Sequence, residues 1–287
     1  MASTIVLQID SRGFSIPDRS KPFHMAENND KPSEALRQNP NGLFHHFPFY
    51  AKTSIINRIR AGLVGWDYKF LQLPSPKYRG PTWIKVDCLR KLLCSDEFLK
   101  YDYVIYLDSD AWIRDEYALS KLIEELAASS YHGFIGTDPI KSYNTRINTG
   151  CIILRNNQQN KNFFQAIWNA PALHYKHARY LWGSFHEQSI TDDLLKQTPG
   201  FWKLLPLNSI NTPWGDVVRH CWWKRSYCEK KIKSGFSFQI GSHRKRGARH
   251  DTCINKFLED ELIIVLNTVT KLLNEPLRNH AYSLLDE

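Results

Sequence analysis

No apolar stretch of the 287-residue chain approaches the roughly 20 residues that a helix needs to cross a bilayer. The one apolar run near the start, Ile5-Val6-Leu7, is short and flanked by polar residues, unlike a secretory leader. The expectation is a chain with no transmembrane anchor of its own and no export, at work in the cytoplasm. The six cysteines (Cys88, Cys94, Cys151, Cys221, Cys228 and Cys253) contain no Cys-x-x-Cys pair and no regular framework. Reduced thiols fit that pattern better than a disulfide scaffold does. Internal repeats, low-complexity tracts and an obvious linker are missing too, so a single domain over 1–287 is the simplest organisation. Acidic residues are the minority charge, 29 against 38 Lys and Arg, for a formal net charge of +9. The densest basic cluster is Ser242-His243-Arg244-Lys245-Arg246-Gly247-Ala248-Arg249-His250. It favours an anionic partner, but no nucleic-acid module signature accompanies it, and a diphosphate-bearing small molecule fits equally well.

What is present alternates. Thr4 to Ile9 reads as a strand, and Asp10 to Gly42 as a polar loop or insertion. Phe49 to Leu63 has helical spacing at Ile55, Ile56, Ile59 and Leu63, and Tyr68 to Leu73 reads as a second strand. After a break at Pro74 to Pro81, Thr82 to Phe98 is amphipathic and leads into the apolar run Tyr103 to Leu107. The order β-α-β-α-β predicts an α/β fold, a mostly parallel central sheet flanked by helices. Further on, Tyr117 to Ala128 reads as helix, Gly133 to Gly136 and Ile147 to Leu154 as strands, and Lys161 to Trp168 and His186 to Lys196 as helices. Beyond Pro199 the chain reads as irregular and aromatic, closing with an amphipathic helix from Asn255 to Leu273.

The densest chemical signal is Leu107-Asp108-Ser109-Asp110-Ala111, where a buried-type strand stops at two carboxylates. Ligands of open α/β sheets bind outside the carboxyl ends of the strands. A hard cation held by one or two carboxylates keeps positions free for phosphate oxygens. The competing reading is a solvated turn with Asp110 capping the next helix.

Four blocks, in matching order and spacing from about residue 80 to 195, carry a resemblance. They are Thr82-Trp83-Ile84-Lys85 with Leu89-Arg90-Lys91-Leu92-Leu93, then Leu107-Asp108-Ser109-Asp110-Ala111, then Ile147-Asn148-Thr149-Gly150 with Leu154-Arg155-Asn156, and His186-Glu187-Gln188-Ser189. Together they resemble nucleotide-sugar glycosyltransferases of the GT-A fold, a Rossmann-like arrangement. The family concerned contains plant xyloglucan xylosyltransferases and yeast mannan galactosyltransferases (glycosyltransferase family 34). The anchorless chain is also similar to small glycosyltransferases of large algal viruses that build their own capsid glycans; a viral source would make the site of action the host cytoplasm.

The resemblance implies a nucleotide and metal half over about 1–112 and a sugar and acceptor half over about 113–287. It implies Mn2+ or Mg2+ on Asp108 and Asp110, with a UDP-sugar donor. Donor contacts fall to Lys85, Asp108, Ser109, Asn148 and Gly150, with Glu187 near the anomeric carbon and Gln188 on a sugar hydroxyl. The family's third metal ligand is a histidine near the C-terminus. Here Gln239 stands at the aligned place and His243 just past the following glycine, with His220 a further candidate. Arg244 and Lys245 would clamp the phosphates. The transfer would move xylose or a hexose such as galactose to a glycan acceptor. Retention follows from the resemblance, while Glu187 as a general base would suit inversion. Two other functions stand beside this one. A sugar nucleotidyltransferase would also use paired acids with a metal, though no Gly-rich phosphate loop follows the first strand. A non-enzymatic basic protein binding glycan or nucleic acid is the other.

Overall fold

A computed structural model describes residues 2–10, 49–138, 145–173 and 186–220, together with Leu258, Glu261, Ile264 and Val265. All seven residues of β1 (Thr4–Asp10) are buried, as expected of a strand covered on both faces. It pairs in parallel with β2 (Asp67–Gln72) on one side and β3 (Tyr103–Asp108) on the other. The six-stranded sheet runs β2-β1-β3-β6-β5-β7, with β5 at Gly133–Thr137, β6 at Ile147–Arg155 and β7 at Trp202–Leu205. Among the described strands of this sheet only β6 is reversed, lying antiparallel to both β3 and β5. The mostly parallel, single-domain α/β fold is thus as the alternating pattern predicts. A second sheet of two short strands, β4 (Ala111–Ile113) and β8 (Val218–His220), sits beside it.

Alternation along β3 assigns its residues to two cores. Val104 and Tyr106 face helices α2 (Ile84–Leu92), α4 (Gln158–Leu173) and α5 (His186–Gln197), joining Leu89, Phe164, Ile167 and Ile190. Ile105 and Leu107 face α1 (Phe49–Leu63) and α3 (Glu116–Ala128), joining Ala61, Leu119 and Ile123. Asp108 continues the Tyr106 parity, so its carboxylate comes out on the α2 and α5 side. That parity is what lets residues from these helices reach it.

Three local findings differ from the sequence reading. The Thr82 to Phe98 helix is a 3-10 turn at Pro81–Trp83 followed by α2, and it ends before Cys94, whose φ of 54° leaves helical space. Two short strands, β7 and β8, lie in the stretch read as irregular. The buried face of α1 carries Thr53, Ile56, Asn57 and Arg60, while Ile55, Ile59 and Leu63 are half-buried. The polar residues win that face because backbone groups of the Asp108–Ile113 turn require hydrogen-bond partners that aliphatic side chains cannot supply. Most of the proposed C-terminal helix lies outside the described residues, but Leu258, Glu261, Ile264 and Val265 are helical. Cys88, Cys94 and Cys151 are free thiols. No helix among the described residues is long and apolar enough to cross a membrane.

Candidate functional site

Connections from β1 lead first to β2 and then back across to β3, so the strand order diverges between β1 and β3. Such a switch point leaves a crevice at the carboxyl ends of the strands. Here it is a cleft of about 370 Å³, lined by Ile9 and Asp10 from β1, Pro81, Thr82, Ile84 and Lys85, and Tyr106 to Asp110 apart from Leu107. Trp83 is fully buried beneath it against Trp168, and the Arg79 guanidinium lies over both rings, 4.5 and 3.7 Å from their centroids. The indole anchors the rim while Lys85, two residues on, reaches the cleft.

Asp108, Asp110 and His220 come together at the mouth, with one ligand atom of each within 4.8 Å of the others. The β4–β8 pairing sets Ala111 opposite His220 and so delivers the ring beside Asp110. Its Nε2 is 3.0 Å from Asp110 Oδ1 and 3.7 Å from Asp108 Oδ2. The other ring nitrogen, Nδ1, is 3.1 Å from Asn148 Oδ1. That amide oxygen also accepts from the Gly150 N–H at 2.9 Å, which identifies it as the oxygen and makes Nδ1 the donor. Nε2 therefore points at two carboxylates, 3.0 Å from Asp110 and 3.7 Å from Asp108, an arrangement that suits a cation among the three. An outer hydrogen bond that fixes the tautomer and leaves the far nitrogen facing acids is the usual arrangement of a metal-ligating histidine. The spacing is close to what one ion with bonds of about 2.0–2.2 Å to nitrogen and oxygen bridges.

Gly150 makes this possible in a way the sequence reading did not assign to it. A Cβ there would lie 2.0 Å from His220 Cε1 and 2.1 Å from Nδ1, so the space above the glycine is filled by the ring. Asn148, expected beside a sugar, uses its oxygen on His220 and on Gly150. Both residues face His220 because β6 is bulged. One step on β5, from Ile135 to Gly136, is matched on β6 by a step from Ile152 to Asn148, leaving Thr149, Gly150 and Cys151 unmatched on β5. Such bulges re-aim side chains next to functional sites.

Thr149 points the other way, into a buried charged cluster. Lys85 Nζ lies 2.8 Å from Asp108 Oδ1, 3.3 Å from Glu187 Oε1 and 3.2 Å from the Thr149 carbonyl. Burial alone would lower the Lys85 pKa; the charges of Asp108 and Glu187 outweigh it and hold the ammonium above its ordinary range. Tyr106 donates to Asp108 Oδ1 at 2.5 Å; burial first, then the Asp108 charge, pushes its phenol well up, so it stays a donor. The Thr149 hydroxyl donates to Glu187 Oε1 at 3.0 Å. Glu187, 2% exposed, has no hydrogen-bond partner at Oε2. Its carboxylate reaches across to β6 and α2 rather than capping its own helix. Gln188 is occupied at both ends: Oε1 accepts from Thr149 N at 3.2 Å, and Nε2 donates to Asp138 at 2.9 Å and Thr145 at 3.2 Å.

Behind the Asp-Ser-Asp turn stands a buried polar network that the sequence reading missed. Thr53 donates to the Ser109 carbonyl at 2.7 Å, and Gln8 Nε2 donates to Thr53 at 3.0 Å and to the Asp108 carbonyl at 3.3 Å. Asn57 donates to the Ala111 carbonyl at 3.0 Å and accepts from Ile113 N at 2.8 Å. The available signal was Thr53 and Asn57 themselves, a polar i,i+4 pair beside Ile56 on one helix face. Arg155 and Asn156, part of the third block, serve the scaffold: the Arg155 guanidinium donates to the Leu126, Ala127 and Ser129 carbonyls at the end of α3 and to the Tyr131 carbonyl, and Asn156 binds Cys94 N and the Phe98 and Tyr101 carbonyls. His243, Gln239, Arg244 and Lys245 lie outside the described residues.

No protein-family profile matches the chain, and no curated protein matches it significantly. Among solved structures, a glycosyltransferase involved in the glycosylation of the major capsid of PBCV-1 aligns with a TM-score of 0.51 at 11% identity, over 80% of this chain and 99% of that one. The glycosyltransferase GlyE of Streptococcus pneumoniae TIGR4 aligns with a TM-score of 0.44 at 14% identity, over 94% of this chain and 63% of that one. The chain shares its fold, a mixed α/β arrangement around a mostly parallel sheet, with the PBCV-1 glycosyltransferase.

Proposed function

We propose that the chain is a metal-dependent glycosyltransferase that moves a sugar, xylose or a hexose such as galactose, from a UDP-sugar to a glycan acceptor. The observation that carries this reading is the Asp108–Asp110–His220 trio at the mouth of the switch-point cleft, with the histidine tautomer locked by Asn148. These three would hold a divalent cation, Mn2+ or Mg2+, in preference to a site using His243 or Gln239. When bound, the cation supplies charge neutralisation for a departing diphosphate. Asp10, Ser109 and Lys85 line the cleft that would take the nucleotide. The Lys85 ammonium bridges the Asp108 and Glu187 carboxylates. Glu187 is proposed as the group that acts on the sugar, with a carboxylate oxygen uncommitted to the protein. Gln188 is proposed to fix Thr149 and, through it, the Glu187 carboxylate. Arg244 and Lys245 remain proposed phosphate contacts. The PBCV-1 enzyme of the same fold is described as acting in capsid glycosylation, which supports a glycan acceptor.

The test is a thermal-shift and calorimetric screen of UDP- and GDP-sugars with and without Mn2+, because a ligand of the native state alone raises the apparent Tm. UDP-sugar binding that needs Mn2+, with slow UDP release, is expected. Consumption of a nucleoside triphosphate with a sugar phosphate would favour the nucleotidyltransferase instead. Metal-independent binding of glycan or nucleic acid, without nucleotide affinity, would favour the binding protein.

A further inference from the structure

The bulge in β6 leaves a structural problem. Thr149, Gly150 and Cys151 have no register partner on β5, and a buried carbonyl in such a bulge that found no donor would cost as much as a lost hydrogen bond. A side chain from elsewhere supplies the partners. Asn211 Nδ2 donates to the Asn148 carbonyl at 2.7 Å and to the Cys151 carbonyl at 2.8 Å, the residue just before the bulge and the last residue within it. The residue is fully buried and sits at φ 69°, a left-handed backbone in which asparagine is among the tolerated residues. Gly136 of β5 is what admits it: a Cβ there would lie 2.7 Å from Asn211 Nδ2 and 2.8 Å from Asn211 Cβ.

We infer that Asn211 is a positioning residue for the reaction centre, acting through the bulge it holds open. By pinning the two ends of the Asn148–Cys151 segment it turns Gly150 toward His220 and Thr149 toward Lys85 and Glu187, so one amide sets the metal trio and the acidic cluster together. The inference rests on the metal-site reading for its functional consequence, but its geometric core stands without it. Asn211 touches no proposed substrate; its effect travels through β6.

The test uses the full-length chain with Asn211→Gly, which removes the amide without imposing the left-handed backbone on a side chain. Two readouts separate the two readings. Amide hydrogen exchange at Thr149 and Gly150, protected by Gln188 and Asn148 in the parent, is expected to accelerate, while exchange in β1 stays unchanged. Mn2+ affinity, measured by electron paramagnetic resonance well below the Tm, is expected to fall about tenfold or more, the scale of losing an outer-shell partner. Gly136→Ala should reproduce both effects by expelling the side chain, and the Gly136→Ala/Asn211→Gly pair should be no worse than either alone. Unchanged exchange at Thr149 and Gly150 in both single variants overturns the inference, whatever the metal does. Faster exchange with unaltered Mn2+ affinity also overturns it, leaving Asn211 a stabilising plug only. A parent chain that binds no Mn2+ sinks the metal reading, and the exchange data then decide the positioning of β6 by themselves.

Discussion

The imidazole of His220 lies directly on the bare Cα of Gly150: a methyl group at that glycine would fall 2.0 Å from Cε1. The overlap involves Cε1, Nδ1 and Nε2 together, so any side chain at position 150 must move the histidine or the strand. Gly150→Ala is expected to lower Mn2+ affinity about as much as His220→Ala, with the double variant no weaker than the singles. Isothermal titration with Mn2+, alongside circular dichroism to check folding, would read this. Gly150→Ala with parental Mn2+ affinity would remove His220 from the metal site.

The two aspartates of the turn should both prove essential to transfer, and Asp108 should matter to apo stability as well. Asp108→Asn and Asp110→Asn are both expected to abolish transfer; more than about a tenth of parental activity, a barrier change under roughly 1.4 kcal/mol, would sink the metal assignment. Lys85 and Tyr106 bind Asp108, buried contacts that its substitution would weaken. Relief of charge crowding, which the bare Asp-Ser-Asp motif suggests, therefore applies less to Asp108 than the sequence implies. Asp108→Asn should lower the Tm of the metal-free protein, because it weakens the contacts with Lys85 and Tyr106.

The turn that carries these acids is held from behind, so Asn57→Leu should damage it without touching the cleft. The substitution leaves the Ala111 carbonyl and the Ile113 N–H without their side-chain partner. A loss of about 1–3 kcal/mol per orphaned buried group is expected, together with weaker Mn2+ binding. Urea unfolding would measure the first and titration the second. Stability lost with Mn2+ affinity intact would make Asn57 a core residue only.

How much of this was legible in the sequence follows from which residues speak through local pattern. Strand β3 and its terminal acids were visible because an apolar run ending in Asp-Ser-Asp is a one-dimensional signal. The helix α1 was visible as an element, but its orientation was not: of the four apolar positions its spacing pointed to, only Ile56 is buried and Ile55, Ile59 and Leu63 are half-buried, because Thr53 and Asn57 answer to carbonyls about 55 residues away. The same holds for His220. Its place beside Asp110 depends on the pairing of β4 with β8, two strands of three residues each, too short to show a period. The bulge at Thr149 to Cys151 was likewise invisible, since Asn-Thr-Gly reads as ordinary strand until Asn211 is seen between its carbonyls.

Lys85 offers a pH-dependent test. Its pKa is raised in the folded state above the ordinary lysine value of about 10.4, so the folded protein holds this proton more tightly than the unfolded chain does. The associated stability is fully present below about pH 10.4 and is lost only as pH rises through the folded value. Lys85→Met strands the buried Glu187 carboxylate and half-buried Asp108, and should cost about 3–5 kcal/mol at neutral pH. That deficit relative to the parent is expected to persist to about pH 10 and to narrow at more alkaline pH, as read from urea midpoints across the range. A deficit that narrows already between about pH 8 and 9 would mean that the ammonium is not held up by its two carboxylates.

Glu187 is the residue whose removal should separate chemistry from binding. Its Oε1 is committed to Thr149 and Lys85, while Oε2 has no hydrogen-bond partner in spite of 2% exposure. A buried carboxylate oxygen without a partner is costly to keep, and a site that bears such a cost gains from it only when a further group arrives. If that group is the donor sugar, the interaction belongs to the transition state more than to nucleotide binding. Glu187→Gln keeps the size and removes the charge, so Lys85 would still retain Asp108. The expected result is a fall in kcat on the order of a hundredfold or more with the Kd for the UDP-sugar nearly unchanged. Pre-steady-state transfer assays and calorimetric donor titration give the two quantities independently. Near-parental kcat would assign the carboxylate to holding Lys85 and Thr149 in place, and a weakened donor Kd with intact kcat would move its contact from the reacting sugar to the nucleotide.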